Sequence, residues 1–276
     1  RDKASSSFGI RPFKRIDNPI AETVAFALCA LTGAVIVLPA ASFLLISIVQ
    51  KYPIAMQPTF DNFKRAFSMN TGTYLANSLL ISSFVSVLGS LSACILAYLT
   101  VRTRSKISKP LHLCAILTLA IPGLVLGLSY VLFFKGSFLY GTFAILIMVN
   151  MIHFFSSPYL MMYNTLGKLN PNLEIIGSTM DIPRTKIIVD VILPQAKSTV
   201  AEMAMYFFVN SMMTISAVSF LATTANQPLS LMIPSFESQM LFECAGVVSL
   251  CILAVNLLIK ALVIRYKKIV AQRDAA

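Results

Sequence analysis

Few side chains in these 276 residues could take part in acid–base, nucleophilic or metal chemistry. There are 11 Asp and Glu, two His and five Cys. His112 and His153 lie in different apolar stretches, and neither has a carboxylate near it in sequence. Cys29, Cys94, Cys114, Cys244 and Cys251 show no C-x-x-C spacing, which argues for small apolar packing residues and against a metal or redox centre. The chain contains no G-x-x-x-x-G-K-[ST], so it has no P-loop of its own for ATP. G-x-G-x-x-G, G-x-S-x-G and H-E-x-x-H are missing as well. The acids sit mainly at the ends of apolar stretches or in loops. An intramembrane protease or proton relay would need them paired in mid-span.

What remains is recognition, and it concentrates in one segment, Leu166 to Gln195. Asn170 or Asn172 can cap a first short helix, with Pro171 tolerated in its first turn. Leu173, Ile176, Gly177 and Met180 share a face of it. Asp181-Ile182-Pro183 makes a break. A second short helix carries Ile187, Ile188, Val191 and Ile192 on one side, with Arg184, Lys186 and Asp190 elsewhere, and Pro194 is expected to end it. An amphipathic pair of this kind can lie on lipid headgroups. Equally, it can place its apolar anchors in a groove of a partner protein.

The elements that position this segment follow from composition. With 57% hydrophobic and 12% charged residues, the chain departs far from a soluble globule, which is roughly a quarter charged. Mean hydropathy is +0.79. A bilayer core about 30 Å thick takes about 20 apolar residues per helical crossing. Six stretches qualify: Thr23–Val49, Leu75–Val101, Leu111–Phe134, Phe138–Tyr163, Thr199–Ala222 and Leu241–Val263. The first four hold no charged residue. The fifth carries Glu202, and the sixth carries Glu243 and Lys260. The net charge of +11 divides with the loops: 18 Lys and Arg fall on one set of connections and termini, and 4 on the other. That split places both termini in the cytoplasm by the positive-inside rule, and it replaces nucleic acid as the explanation of a basic chain.

The connections are uneven. The loop from Gln50 to Tyr74 has room for a short surface helix at Pro58–Phe67. The link around Lys135–Phe138 reads as a tight hairpin. The internal segment at 164–198 is about 35 residues, long for a connector without a task of its own. Ser82, Ser86, Ser90 and Cys94 form a small-residue stripe, and Gly123-x-x-x-Gly127 follows Pro122. Both patterns let helices approach closely in lipid. Pro39, Pro122 and Pro158 are candidate kinks.

The internal segment resembles the "EAA" loop of ABC-importer permeases, patterned E-A-A, three residues, G, nine residues, I-x-L-P. Anchored on Val191-Ile192-Leu193-Pro194, it puts Asp181 at the Gly position and Ile175, Ile176 and Gly177 at E-A-A, with Glu174 one residue early. Asp is among the residues that visit left-handed geometry more readily than most. The stretch Gly177–Leu221 is similar to permeases of the iron, polyamine, thiamine and phosphonate group, most of all to 2-aminoethylphosphonate permeases. The resemblance implies an all-α membrane protein of six transmembrane helices with the type I ABC importer (MetI-like) permease fold. It implies a cytoplasmic arm at 1–22, a permease domain at 23–264 with the coupling loop at 164–198, and a tail at 265–276. The implied task is to pass a small solute from an external binding protein to the cytoplasm of a bacterium across its inner membrane. The solute is a phosphonate first, with ferric iron, polyamine or thiamine as alternatives. The implied partners are a cytoplasmic ABC ATPase dimer holding ATP and Mg, a second permease unit (identical, paralogous or fused), and membrane lipid. The chain itself would be no enzyme and bind no cofactor. Its start at Arg1 rather than Met suits a piece of a longer polypeptide.

Under this resemblance Glu174, Gly177, Met180, Asp181, Ile182, Pro183 and Arg184 are the expected ATPase contacts. The costly mid-span polar residues Asn77, Asn150, His153, Asn210, Ser211 and Thr214 are candidates for the translocation path, against an ordinary interhelical hydrogen bond for each. Glu202 is a candidate for a gating salt bridge. A self-contained secondary transporter or channel is the rival class, and it would need its own midplane ion site. The topology is open to a direct test: an Arg184→Cys variant should react with a membrane-impermeant maleimide only from the cytoplasmic face, and labelling from outside would overturn it.

Overall fold

Backbone groups in lipid have no water to turn to, so the chain crosses as helices. The structure, a computed structural model, describes residues 18–103 and 105–275. Residues 1–17 of the predicted 1–22 arm and Arg104, which entered the charge count, lie outside the described residues. The chain divides into a unit up to Phe43 and a unit from Leu44 onward. The first unit holds most of α1 (Pro19–Ile48), which is apolar all round, runs unbroken through Pro39 and exposes its side chains. That is the pattern of a helix facing lipid.

In the second unit an antiparallel strand pair, β1 (Val49–Lys51) and β2 (Ala55–Pro58), leads into α2 (Asp61–Ser68). The expected surface helix is present, shifted a few residues. Asn62 is buried and donates to the Ser47 and Val49 carbonyls, which fixes α2 against the strand. The long α3 (Thr71–Val101) follows and forms the axis of the main core.

Two predicted spans are broken. The third becomes α4 (Ser108–Leu117), a 3-10 turn (Thr118–Ala120) and α5 (Gly123–Phe134), bent by 108°. Pro122 causes this. It lacks an N–H and forces the preceding Ile121 out of helical geometry, to ψ 115°. The fourth becomes α6 (Phe143–His153) and α7 (Ser156–Lys168), bent by 53°. Here the bend lies at Phe154–Phe155, and Pro158 sits harmlessly in the first turn of α7, where no helical donor is needed. The fourth span also starts later than expected. Residues 135–142 form a loop with Gly136 and Gly141 at positive φ.

The internal segment holds α8 (Leu173–Thr179) and α9 (Arg184–Ile187), then a π turn (Ile188–Ile192) and α10 (Leu193–Gln195). Pro194 does not end the second helix as expected. It cannot donate to the carbonyl four residues back, and the wider π turn accommodates it while the chain stays helical. The predicted fifth span is only partly helical: α11 (Lys197–Met213) stops where Thr214 turns extended, and 214–228 are turns. A 3-10 turn (Leu229–Leu231), α12 (Met232–Ser238) and α13 (Phe242–Ala275) complete the chain. α13 continues through the expected boundary at residue 264. Among the described residues, three helices are long and apolar enough to cross a membrane, and up to five spans result if each bent pair counts as one. The shorter α11 is compatible with a sixth.

The small-residue stripe explains the α3–α11 contact. Ser86 donates to the Ala204 carbonyl at 2.7 Å, and Ser82 meets the Met212 sulfur at 3.8 Å. Gly89 lies under the Phe207 ring, where an added Cβ would stand 2.8 Å from Cζ. The Gly123-x-x-x-Gly127 pair packs against the irregular 215–221 stretch, with the Ala217 carbonyl oxygen 2.7 Å from where a Cβ of Gly127 would stand. Gly89→Leu should therefore destabilise the bundle by about 1–3 kcal/mol through overpacking. Thermal unfolding in detergent measures this. Phe207→Ala in the Gly89→Leu background should recover part of the loss, and no recovery would show that the contact does not set the helix spacing.

Candidate functional site: the coupling segment and the helices that hold it

The turn between α8 and α9 is closed by backbone chemistry that its sequence dictates. Asp181 adopts φ 56°, the left-handed geometry that the pattern's Gly would supply. The Ile182 N–H donates to the Gly177 carbonyl at 2.9 Å, and the Asp181 N–H to the Ser178 carbonyl at 3.4 Å. This is a Schellman closure with Asp in place of Gly, and Pro183 follows it as a stop. Gly177 is buried, and a Cβ there would collide with the Ile187 side chain of α9. The small residue thus lets the two short helices fold against each other. Ile187 and Ile192 point into the core, as the second amphipathic face predicts.

The residues left outside define the exposed surface of the turn. Met180, Asp181, Pro183 and Arg184 are exposed, with Ile175 and Ile176 beside them, and Ile182 is half-buried. Glu174 differs from the rest. Its carboxylate turns inward and takes a two-point ion pair from Arg102, with Nε–Oε1 at 2.7 Å and Nη2–Oε2 at 2.6 Å. The two side chains are 4% and 12% exposed for Arg102 and Glu174 respectively. Arg102 also donates to the Leu169 and Asn170 carbonyls at 3.2 and 2.8 Å. One residue past α3, it binds both the end of α7 and the start of α8. Burial pushes the Glu174 carboxyl up, but the Arg102 hydrogen bonds and charge, with Arg184 further off, more than reverse this and hold it below the ordinary carboxylate range. A cavity of about 520 Å³ opens beside the pair, bordered by Thr103, Ser178 and Arg184.

At the other end of the segment Glu202, in α11, pairs with Lys267 of α13. Arg102 and Lys267 entered the sequence reading only as loop and tail charges. The available sign of the first pair was an Arg placed directly after an uncharged span, at the head of a basic loop.

The path candidates do not share one cavity among the described residues. Asn77 donates to the Ala225 and Gln227 carbonyls at 3.2 and 3.1 Å, which ties down a loop. Asn150 is buried, donates to Leu146 of its own helix, and leaves Oδ1 without a partner. His153 is half-buried beside Gly123, with Nδ1 unpaired. Asn210 bonds to the Tyr206 carbonyl in its own helix and borders a cleft between α11 and α13. Ser211 is buried with an unpaired hydroxyl. Buried Thr214 accepts at its carbonyl from Ser230, at 2.6 Å.

This arrangement of helices is that of solved importer permeases. A chain of a bacterial ABC transporter involved in the import of the acidic polysaccharide alginate matches with a TM-score of 0.72 at 14% identity, over 92% of this chain and 99% of that one. A chain of the MetNI methionine ABC transporter in an inward-facing form matches with a TM-score of 0.57 at 16% identity, over 75% of this chain and 97% of that one. The fold is therefore the type I ABC importer permease fold. Residues 86–273 match the binding-protein-dependent transport system inner membrane component family, and the chain belongs to that family. Its members are permease components of ABC importers and not enzymes. Two curated relatives are the ferric transport system permease protein FbpB of Actinobacillus pleuropneumoniae, 27% identical over 171 residues, and a protein named as a ferric transport system permease in Haemophilus influenzae, 28% identical over 171 residues. Each alignment takes in 60% of this chain, but only 25% and 27% of the relative, so the chain spans about a quarter of their length.

The Arg102–Glu174 pair carries a pH signature. A carboxyl whose folded pKa is lowered stabilises the fold fully above its unfolded value, about 4.3 for Glu, and loses that contribution as pH falls through the lowered one. Glu174→Gln should therefore melt below wild type at pH 7, and the gap should close under acid. Melting followed by circular dichroism checks this, and a pH-independent gap would contradict it.

Proposed function

We propose that this chain is a permease unit of an ATP-driven importer of the ferric-iron type. The turn at Met180–Arg184 is its docking point for a cytoplasmic ABC ATPase. The observation that carries this is the closed turn itself: the backbone satisfies itself internally, so the exposed apolar and charged side chains are free for a partner. Glu174 serves the turn from behind, by holding it to Arg102, rather than as a direct ATPase contact.

In this reading the ATPase dimer holds ATP and Mg, and a second permease unit completes the pore. An external binding protein delivers the solute. Both termini and the 164–198 segment lie in the cytoplasm, with the permease domain at 23–264. ATP-driven closure of the ATPases pushes on the turn, and the spans rock. Relatives named for ferric transport support iron over the phosphonate that the sequence resemblance put first. His153, Asn150, Asn210, Ser211 and Thr214 supply polar wall along the core helices, and Asn77 serves the fold at the far end of α3.

The test is reconstitution of the full transporter with its ATPase and binding protein in proteoliposomes. Ferric iron uptake should require ATP and cease when the ATPase is omitted. 2-Aminoethylphosphonate should not be taken up. Arg184→Glu should abolish most uptake while the ATPase still hydrolyses ATP. Uptake driven by an ion gradient without ATPase would overturn the importer reading, and phosphonate uptake would overturn the choice of cargo.

A further inference from the structure

The coupling segment is fastened at both ends by ion pairs, to different helices and in different surroundings. Glu174 is tied to the end of α3. The acid accepts both arms of the Arg102 guanidinium, Arg102 holds two further carbonyls, and the side chains are 4% and 12% exposed for Arg102 and Glu174 respectively. Glu202 is tied to α13 by a single bond from Lys267, and both side chains are 38% exposed. The second pair also spans a cleft. About 340 Å³ of space separates α11 from α13 there, bordered by Glu202, Tyr206, Asn210, Lys260 and Lys267. Asn210 lies two helical turns beyond Glu202, about 12 Å along α11.

The two fastenings respond differently to load. A buried charge stripped of its partner is strongly unfavourable, whereas an exposed pair exchanges one set of contacts for water and is screened by salt. Lys260, about two helical turns before Lys267 on α13, puts a second ammonium on the cleft wall. Between the two fastenings lies the π turn at Ile188–Ile192, an irregular stretch of the kind that marks functional hinges in helices. A push on the exposed turn at Met180–Arg184 reaches α3 through a fixed joint and reaches α11 through a compliant one.

We propose that Arg102 and Lys267 are positioning residues with opposite tasks: Arg102–Glu174 is the permanent hinge of the coupling segment, and Glu202–Lys267 is a latch that opens in each transport cycle to widen the α11–α13 cleft. This rests on the importer reading above. The hinge makes α3 and the segment move as one body. The latch decides when α11 separates from α13.

Cross-linking separates the two tasks. In a transporter with the five native cysteines replaced, Arg102→Cys with Glu174→Cys, and Glu202→Cys with Lys267→Cys, are each bridged by a bifunctional thiol reagent matched to the gap. Each complex is then reconstituted with ATPase and binding protein. Locking the hinge pair should leave ATP-dependent uptake near that of the unbridged sample. Locking the latch pair should abolish it, and cleaving a reducible bridge should restore it. Uptake that survives the latch lock, or is lost equally in both, overturns the proposal.

A second measurement needs no transport. Asn210→Cys in the same cysteine-replaced chain should react with a water-soluble maleimide several-fold faster when Glu202→Gln is added, and no faster when Glu174→Gln is added. Equal rates overturn the latch. If even the cysteine-replaced parent, with both ion pairs intact, shows no ATP-dependent uptake, the importer reading fails, and the labelling rates alone then decide whether Glu202–Lys267 closes the cleft.

Discussion

A backbone carbonyl or N–H inside a bilayer has no water to fall back on, and that constraint governs where this chain can break. Several of the breaks are closed by a side chain from elsewhere. At the 108° bend, Ser156 donates to the Ala115 carbonyl at 2.7 Å and contacts the Thr118 hydroxyl, so the start of α7 completes the end of α4. At the end of α11, Ser230 takes the Thr214 carbonyl. Asn226 donates to the Gly141 carbonyl, and Asn77 to those of Ala225 and Gln227. The two bent spans and the irregular 214–228 stretch are thus mutually dependent. Removing one such side chain would leave a backbone carbonyl without the partner that now closes it.

The same constraint explains which mid-span polar residues were readable. Type and burial of Asn150, Ser211 and Thr214 follow from sequence alone, because polar groups in apolar helices must turn inward. Their partners do not follow, since these lie on elements far away in the chain. Asn77, a path candidate with an ordinary hydrogen bond as its alternative, donates to the Ala225 and Gln227 carbonyls of a loop. The helix ends fall in the same class. Pro122 gives itself away because the residue before a proline avoids helical geometry, whereas the bend at Phe154–Phe155 carries no proline of its own and the nearby Pro158 misdirects. The stop at Met213 was hidden because 214–222 are as apolar as a span and differ only in how their carbonyls are satisfied.

The 164–198 segment was the most legible part, for a physical reason: much of its geometry is local. The left-handed turn at Asp181 and the small residue at Gly177 depend on neighbours within about a dozen positions, and the apolar face of Ile187 and Ile192 shows in their spacing. Two departures from local logic were not readable. Pro194 stays inside a helix because a π turn absorbs it. Glu174 faces inward because Arg102, a whole span and loop away, is there to receive it.

That last contact changes what the one-residue displacement of the acid from the E-A-A position means. An acid one position on, at Ile175, would stand on the exposed side of α8, where 55% of the Ile175 surface is open. At position 174 the carboxylate is withdrawn from any partner and spent on the chain's own α3. The outward face of α8 becomes apolar instead, with Ile175, Ile176 and Met180. Charge on the exposed side of the turn is left to Asp181 and Arg184. The acid at 174 is thus held at the end of α3 in a buried pair, whereas the Glu202–Lys267 pair that joins α11 to α13 is more open to solvent.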